Sequence, residues 1–375
     1  MSAVDSDPHP RRSLRRLRFA SRTLGEGIAQ VLRGSWRPEP PPFNGSHELL
    51  ETIHERLQVT GAAGLAWWRL RDSAHASTSV GRALHDTFRI QTLDALRHEE
   101  LLRTALDLLE SADIRPILAK GWAMARMYPR AGMRPYGDFD VFVDPDSFAA
   151  AAAALARHTG SPLNVDLHPG APRPGVSWNS VLQRARAVPF GTRTLRVFGP
   201  EDHLGFLSSH LLSHGAWRPL WLCDIALLVE SQSRELDWDY FLGSPGRQLE
   251  EVRVAVRLAH EVLGAVIDDT PWAGAEGRIP SWLPAATLAA WSREHYSTTT
   301  RILLTEASVG KVLHALRVRW PNPIEVTSRW GAPYNRMPRL PLQLWDAGVR
   351  AARALLDAPP HIARRSAVEP EATES

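Results

Sequence analysis

An α+β fold, with a small mixed β-sheet core embedded in mainly α-helical N- and C-terminal regions, is predicted by three observations. Apolar residues recur at helix spacing early in the chain, at Leu49, Leu50, Ile53 and Leu57, and again at Leu102, Ala105, Leu106 and Leu109. Between residues 114 and 197 the period shortens to alternation, broken by short helical pieces. From Glu201 the pattern turns helical again, so a strand–helix–strand–helix–strand block sits inside helical packing.

The elements justify themselves in order. Trp36 to Asn44 is Pro-rich and reads as an extended linker that ends a basic arm. A helix starts after Ser46, and a second helical run stops near Ser111. Ile114 to Ala119 reads as a short buried strand, with Pro116 at its start or on a sheet edge. Lys120-Gly121 is a turn opening a helix from Trp122 to Tyr128, which Pro129 ends. Asp138 to Val143 alternates as a strand. Asp144-Pro145 then caps and starts a helix that runs to about His158 and closes at Gly160. Leu163 to His168 is the next strand, and Val188 to Val197 is a hairpin around Gly191-Thr192. Beyond about Trp320 the chain is Pro-rich and reads as an irregular tail. The organisation expected is an arm and linker over 1–45, a helical region over 46–112, the sheet core over 113–200, a helical region over 201–320 and a tail over 321–375.

Composition narrows the functional classes. The chain has 375 residues, 44% hydrophobic and 23% charged, which is ordinary for a globular protein and long enough for a sizeable core. No run of 18 apolar residues occurs, so no membrane-spanning helix is expected. Arg11-Arg12 is followed by more arginines and not by an apolar stretch, which argues against an export signal. Cys223 is the single cysteine; it cannot form an intrachain disulfide, which fits a reducing cytoplasm.

Charge is unevenly placed. Residues 1–37 carry eight arginines against Asp5, Asp7 and Glu26, about +5, so the remainder is about −2 (3 minus 5). The plain reading of this arm is a solvated or loosely helical leader; the alternative is an electrostatic contact with nucleic acid, lipid or an acidic partner. Only Lys120 and Lys311 are lysines, so 42 of the 44 basic residues (44 minus 2) are arginine. A lysine kept inside a Gly-containing turn suggests a need for a compact ammonium.

The chemistry concentrates on two strands. Residues two apart in a strand share a face, so Asp138 and Asp140 lie opposite Phe139, Val141 and Val143. Two carboxylates side by side repel unless a cation or water separates them, and oxygen donors of this kind suit Mg²⁺ together with substrate phosphates. The following strand repeats the device, with Asn164, Asp166 and His168 opposite Leu163, Val165 and Leu167. If the two strands are neighbours, Asp166 joins the face as a third ligand or as the base for an incoming hydroxyl. Upstream, Lys120-Gly121 at a helix start offers backbone N–H groups and a point charge to a phosphate. Arg126 or Arg134 could reach the same anion. A phosphate-binding Gly-x-x-x-x-Gly-Lys loop and a dinucleotide Gly-x-Gly-x-x-Gly are both absent.

The stretch from Leu118 to Val143, with Lys120-Gly121, Tyr128-Pro129, Arg134 and Gly137-Asp-Phe-Asp140 before apolar residues, resembles the signature of the uncharacterised nucleotidyltransferase family, a branch of the polymerase-β-like superfamily. Val165-Asp166-Leu167-His168 looks like the second acidic strand, and Glu201-Asp-His through His210, His214, Trp221 and Asp224 is similar to the helical region that follows. The resemblance covers roughly residues 90–265. It implies a Mg²⁺-dependent (alternatively Mn²⁺-dependent) enzyme that moves a nucleoside monophosphate from an NTP to a hydroxyl, phosphate or peptide acceptor. Asp138, Asp140 and Asp166 would be the metal-binding and catalytic carboxylates, and Lys120, Gly121 and Arg134 would lie with the nucleotide. Three departures stand out: a Lys-Gly turn replaces Gly-Gly or Gly-Ser, the segment before Asp166 is short, and Pro169-Gly170 follows where an aromatic is usual.

Other residues have blander readings. His203, His210 and His214 share one helical face, where packing and hydrogen bonding are the default, contact with an acceptor substrate the middle case and a transition-metal pair the sharper alternative. Asp224 sits among apolar residues and should have a buried partner or cap a helix. Two competing functions remain: a nucleotidyltransferase fold kept as an inactive binding or scaffold protein, and nucleic-acid binding led by the arm.

Overall fold

The computed structural model describes residues 24–173, 175–243, 246–293 and 320–356. The basic arm up to residue 23, the segment 294–319 with Lys311, and the last residues from 357 lie outside the described residues.

A helical stretch over residues 24–32 comes first, and α1 (His47–Val59), α2 (Ala63–Leu70) and α3 (Ser79–Glu110) follow it ahead of the sheet. Ser46 and Thr78 accept hydrogen bonds from the Leu49 and Gly81 N–H groups, which caps α1 and α3 as their sequences suggest. The 32-residue α3 joins two cores. Its Val80 and Leu84 pack with α1 and α2, whereas Leu102, Leu106 and Leu109 pack against the sheet.

The sheet has five strands: β1 (Ile117–Ala119), β2 (Phe139–Val143), β3 (Val165–Pro169), β4 (Arg186–Phe190) and β5 (Arg193–Val197). Their order is β3-β2-β1-β5-β4. β2 runs parallel to β3 and antiparallel to β1; β5 runs parallel to β1 and antiparallel to β4, so the sheet is mixed as expected. The β4–β5 hairpin turns at Gly191, whose φ of 57° a side chain would resist. Pro116 precedes β1, which is central; the missing N–H lies at the strand start and breaks no ladder bond. One face of β2 (Phe139, Val141, Val143) packs with α3 and with α5 (Phe148–Ala156). The other face brings Phe142 to Phe198 and Phe206.

Short α4 (Lys120–Ala125) follows β1, and α6 (Trp178–Arg184) leads into β4. Asp144 caps a single 3₁₀ turn before α5, accepting from the Asp146 N–H. Beyond the sheet come α7 (Pro200–Ser213), α8 (Pro219–Gln232), α9 (Trp238–Leu242), α10 (Gly246–Leu263) and α11 (Trp282–Ser292). α7, α8 and α10 form the centre of the larger, purely helical core.

Two expectations need correction. The segment from 321 is not irregular: α12 (Pro323–Arg329) and α13 (Leu340–Leu356) are helices. Its prolines start helices: Asn322 accepts from the Ile324 and Glu325 N–H groups, and Pro323 takes the first helical position. The Pro-rich stretch after Trp36 is extended but docked on the core. The Trp36 indole donates to Glu230 at 2.9 Å, Arg37 closes on the same carboxylate from two nitrogens, and Trp36 is buried. Among the described residues, no helix is long and apolar enough to cross a membrane.

Candidate active site

The site forms where β1 ends beside the start of β2. The register pairs Ala119 with Asp140 and Asp140 with Asp166, so the two acidic strands are neighbours. Alternation then puts Asp140, Asp166 and His168 on one face. Their ligand atoms all lie within 4.8 Å of one another, and among the described residues this is the one group of three or more that could hold a metal ion. His168 Nε2 is 3.3 Å from Asp166 Oδ2 and 3.6 Å from Asp140 Oδ1. His168 was visible in the sequence as the residue two beyond Asp166, yet only the carboxylates were assigned there. The signal that finds it is the same alternation. Its ring stacks on Phe142 with centroids 4.5 Å apart, which fixes its plane.

Asp140 is buried and Asp166 exposed. Burial pushes the Asp140 carboxyl upward, but His168 and Lys120 outweigh it and hold the group below the usual range. Lys120 Nζ lies 3.0 Å from Asp140 Oδ1. The other oxygen, Oδ2, is buried with no hydrogen-bond partner, and His168 Nε2 also lacks one. A buried carboxylate oxygen without a hydrogen bond, on a face shared with Asp166 and the His168 imidazole, fits a divalent cation, because a buried polar atom otherwise retains its full desolvation cost. Asp138 stands one residue outside β2, exposed, and is not among those three clustered ligands.

The Lys-Gly turn is held under strain. Lys120 has φ 44° and Gly121 φ 24° with ψ −118°, conformations that non-glycine residues seldom adopt and that cost on the order of 1–3 kcal/mol at Lys120. A Cβ on Gly121 would stand 2.8 Å from the Asp138 carbonyl oxygen, so glycine is required both for conformation and for close approach. Two contacts hold Lys120 in place: the ion pair to Asp140, and its backbone N–H donating to His203 Nε2 at 3.0 Å. The N–H expected to be free for a phosphate is therefore occupied. His203 does what the blander reading gave it, hydrogen bonding; it carries its own proton on Nδ1.

His203 is buried, and desolvation lowers its pKa to about 3, with Arg134 adding to the effect. His210 is lowered to about 3 as well, by desolvation first and then by Lys120. The unfolded chain takes up protons on these rings near pH 6.5 whereas the native chain stays neutral. Between about pH 6.5 and 3 the unfolded state therefore binds more protons, and stability falls as pH falls, by up to about 1.4 kcal/mol per pH unit for each ring. Urea unfolding between pH 7 and 5 should show a shallower loss in His203→Gln than in the native chain; equal slopes would contradict this assignment. The His210 and His214 rings lie 4.3 Å apart at a tilt of 37°, with Trp221 edge-on to His210 at 4.5 Å, which is aromatic packing.

Arg134 was expected near the nucleotide. Its guanidinium is buried and closed on Asp224, with Nη2 2.8 Å from Oδ2 and Nε 3.1 Å from Oδ1. Nη1 donates to the Gly121 carbonyl at 3.3 Å. The Tyr128 hydroxyl completes Asp224 at 2.8 Å. Asp224 thus has the buried partner its apolar context demanded, and Arg134 ties that partner to the turn.

A groove of about 660 Å³ between Trp282, Pro323, Arg336 and Arg339 contains none of these residues, so the chemistry and not the hollow locates the site. No curated protein and no solved structure matches the chain. A family model described as an uncharacterised nucleotidyltransferase matches residues 47–160 and 162–264, more than half the chain. That span takes in α1 to α10, every strand and all the residues of the acidic face. The chain belongs to the uncharacterised nucleotidyltransferase family.

Proposed function

We propose that this chain transfers a nucleoside monophosphate from an NTP to a hydroxyl, phosphate or peptide acceptor. The observation that carries the reading is the paired register of Asp140 and Asp166 with His168 beside them, next to the Lys120-Gly121 turn. Asp140, Asp166 and His168 would hold a divalent ion, with Asp138 at the open side of the same site. The carboxylates suit Mg²⁺ or Mn²⁺. The ion supplies charge neutralisation at the phosphates.

The remaining steps belong to the chain's own groups. Gly121 lets the backbone approach the phosphates closely, and Lys120 offers its ammonium to them from a position fixed by His203. Exposed Asp166 accepts the proton of the attacking acceptor hydroxyl. The acceptor oxygen bonds to the α-phosphorus as the bond to the bridging oxygen breaks, and pyrophosphate leaves with that electron pair. A cytoplasmic setting, where NTPs are plentiful, goes with this reading.

The test uses two labels. With ATP labelled on the α-phosphate, protein and acceptor pools should gain label in the presence of Mg²⁺ or Mn²⁺; with γ-label they should not. Transfer of the γ-label would replace nucleotidyl by phosphoryl transfer. A second reading, an inactive nucleotide-binding scaffold, is favoured by the Lys120–Asp140 pair, which already neutralises the buried carboxylate. Nucleotide binding with no label transfer to any acceptor, the chain itself included, would select it.

A further inference from the structure

The charged groups around the turn divide in an informative way. Arg134 is matched by Asp224, and Lys120 by Asp140. Arg218, in the turn between α7 and α8, has no such match. Its one hydrogen bond among the described residues runs from Nε to the Thr60 carbonyl, at 2.9 Å, and no carboxylate lies within ion-pair distance. It stands beside the segment that carries Arg134 and Asp138, through Gly61 and Pro135, and the charges of Arg134, Asp224 and Asp138 act on it. The backbone makes room for it. Gly61 has φ 77°, and a Cβ there would stand 2.6 Å from Arg218 Nη2 and 3.2 Å from Pro135, two residues before Gly137-Asp138.

A guanidinium half-withdrawn from water, next to a second arginine and with no carboxylate of its own, destabilises the chain that carries it. Burial and Arg134 together lower its pKa to about 10. An anion bound at this place removes that cost. Arg126 is in a similar position: desolvation lowers it too, and no ion pair or hydrogen bond engages its guanidinium among the described residues. Paired charges therefore build the turn, Asp166 lies with His168 and Asp140 on the acidic face, and the two arginines without a carboxylate partner suit an anion.

We infer that Arg218, held clear by Gly61, binds the polyphosphate of the nucleotide, while Arg134 serves as an internal strut. The inference rests on the nucleotidyl-transfer reading. A planar fork with both Nη groups unengaged matches phosphate oxygens bidentately.

The experiment is calorimetric titration of the full chain with magnesium and either ATP or inorganic tripolyphosphate, for the native chain, Arg218→Gln and Arg218→Lys. Arg218→Gln should weaken both ligands at least tenfold, and Arg218→Lys by less. The melting temperature of Arg218→Gln without ligand should stay level or rise, because an unmatched charge has been removed. A structural strut to Thr60 predicts the reverse, a lowered melting temperature with unchanged affinity, and that pattern overturns the inference. If Arg218→Gln fails to fold, the affinity of Arg218→Lys decides: native-like tripolyphosphate binding by this shorter, unforked cation overturns it. If the native chain binds neither ligand, the nucleotidyl-transfer reading falls and takes this inference with it. Native transfer and binding beside an unaffected Arg218→Gln would remove the inference alone.

Discussion

Asp140→Asn should lower nucleotidyl transfer by on the order of 10²–10³-fold while leaving the chain folded. The substitution keeps shape and removes one charge from a buried position whose Oδ2 has no partner and whose Oδ1 holds Lys120. An ion lost from the site forfeits several kcal/mol of transition-state stabilisation, and each 1.36 kcal/mol is about tenfold in rate. Asp166→Asn should cost less in metal affinity, because Asp166 is exposed and water can replace its oxygen. The check combines α-label transfer with Mn²⁺ binding followed by electron paramagnetic resonance. Native, Asp166→Asn and Asp140→Asn should then rank in descending affinity. Transfer by Asp140→Asn within a few-fold of the native chain would remove the carboxylate from the mechanism.

Asp224→Ala should be the most damaging substitution for stability. It strands the Arg134 guanidinium, buried to 4% exposure, and leaves the Tyr128 hydroxyl without its acceptor. Breaking a buried pair by removing one partner costs about 3–5 kcal/mol, which for a chain of this size lowers the melting temperature by about 4–6 °C. Activity should fall as well, because Arg134 also holds the Gly121 carbonyl. The double substitution Arg134→Met/Asp224→Leu provides the check: with no unmatched charge left, it should be more stable than Asp224→Ala alone. A double variant at least as unstable as Asp224→Ala would show that the damage comes from lost packing.

The acidic face was legible in the sequence because strand alternation is a local rule. Asp138, Asp140, Asp166 and even His168 follow from a period of two, once the strands are recognised by their apolar partners. The hairpin at Gly191 and the caps at Ser46, Asp144 and Asn322 are local in the same sense, although only Asp144 was read as a cap, and it caps a 3₁₀ turn ahead of the helix. The prolines near Pro323 misled because the same residue ends one helix and starts another; which it does depends on the side chain preceding it. The Lys-Gly turn was found, but its occupancy was not: His203 lies 83 residues beyond Lys120, and no local pattern connects them.

By itself, the sequence determined the α+β class, the two acidic strands and the Lys-Gly turn, since these depend on neighbours within a few positions. Only the tertiary structure decided that Asp140 is buried and Asp166 open, that Arg134 belongs to Asp224, and that Arg218 stands by Gly61 without a carboxylate. Burial and charge pairing depend on which distant segments meet. A charged side chain's task is set by whether its counter-charge arrives from the fold or must come from a ligand.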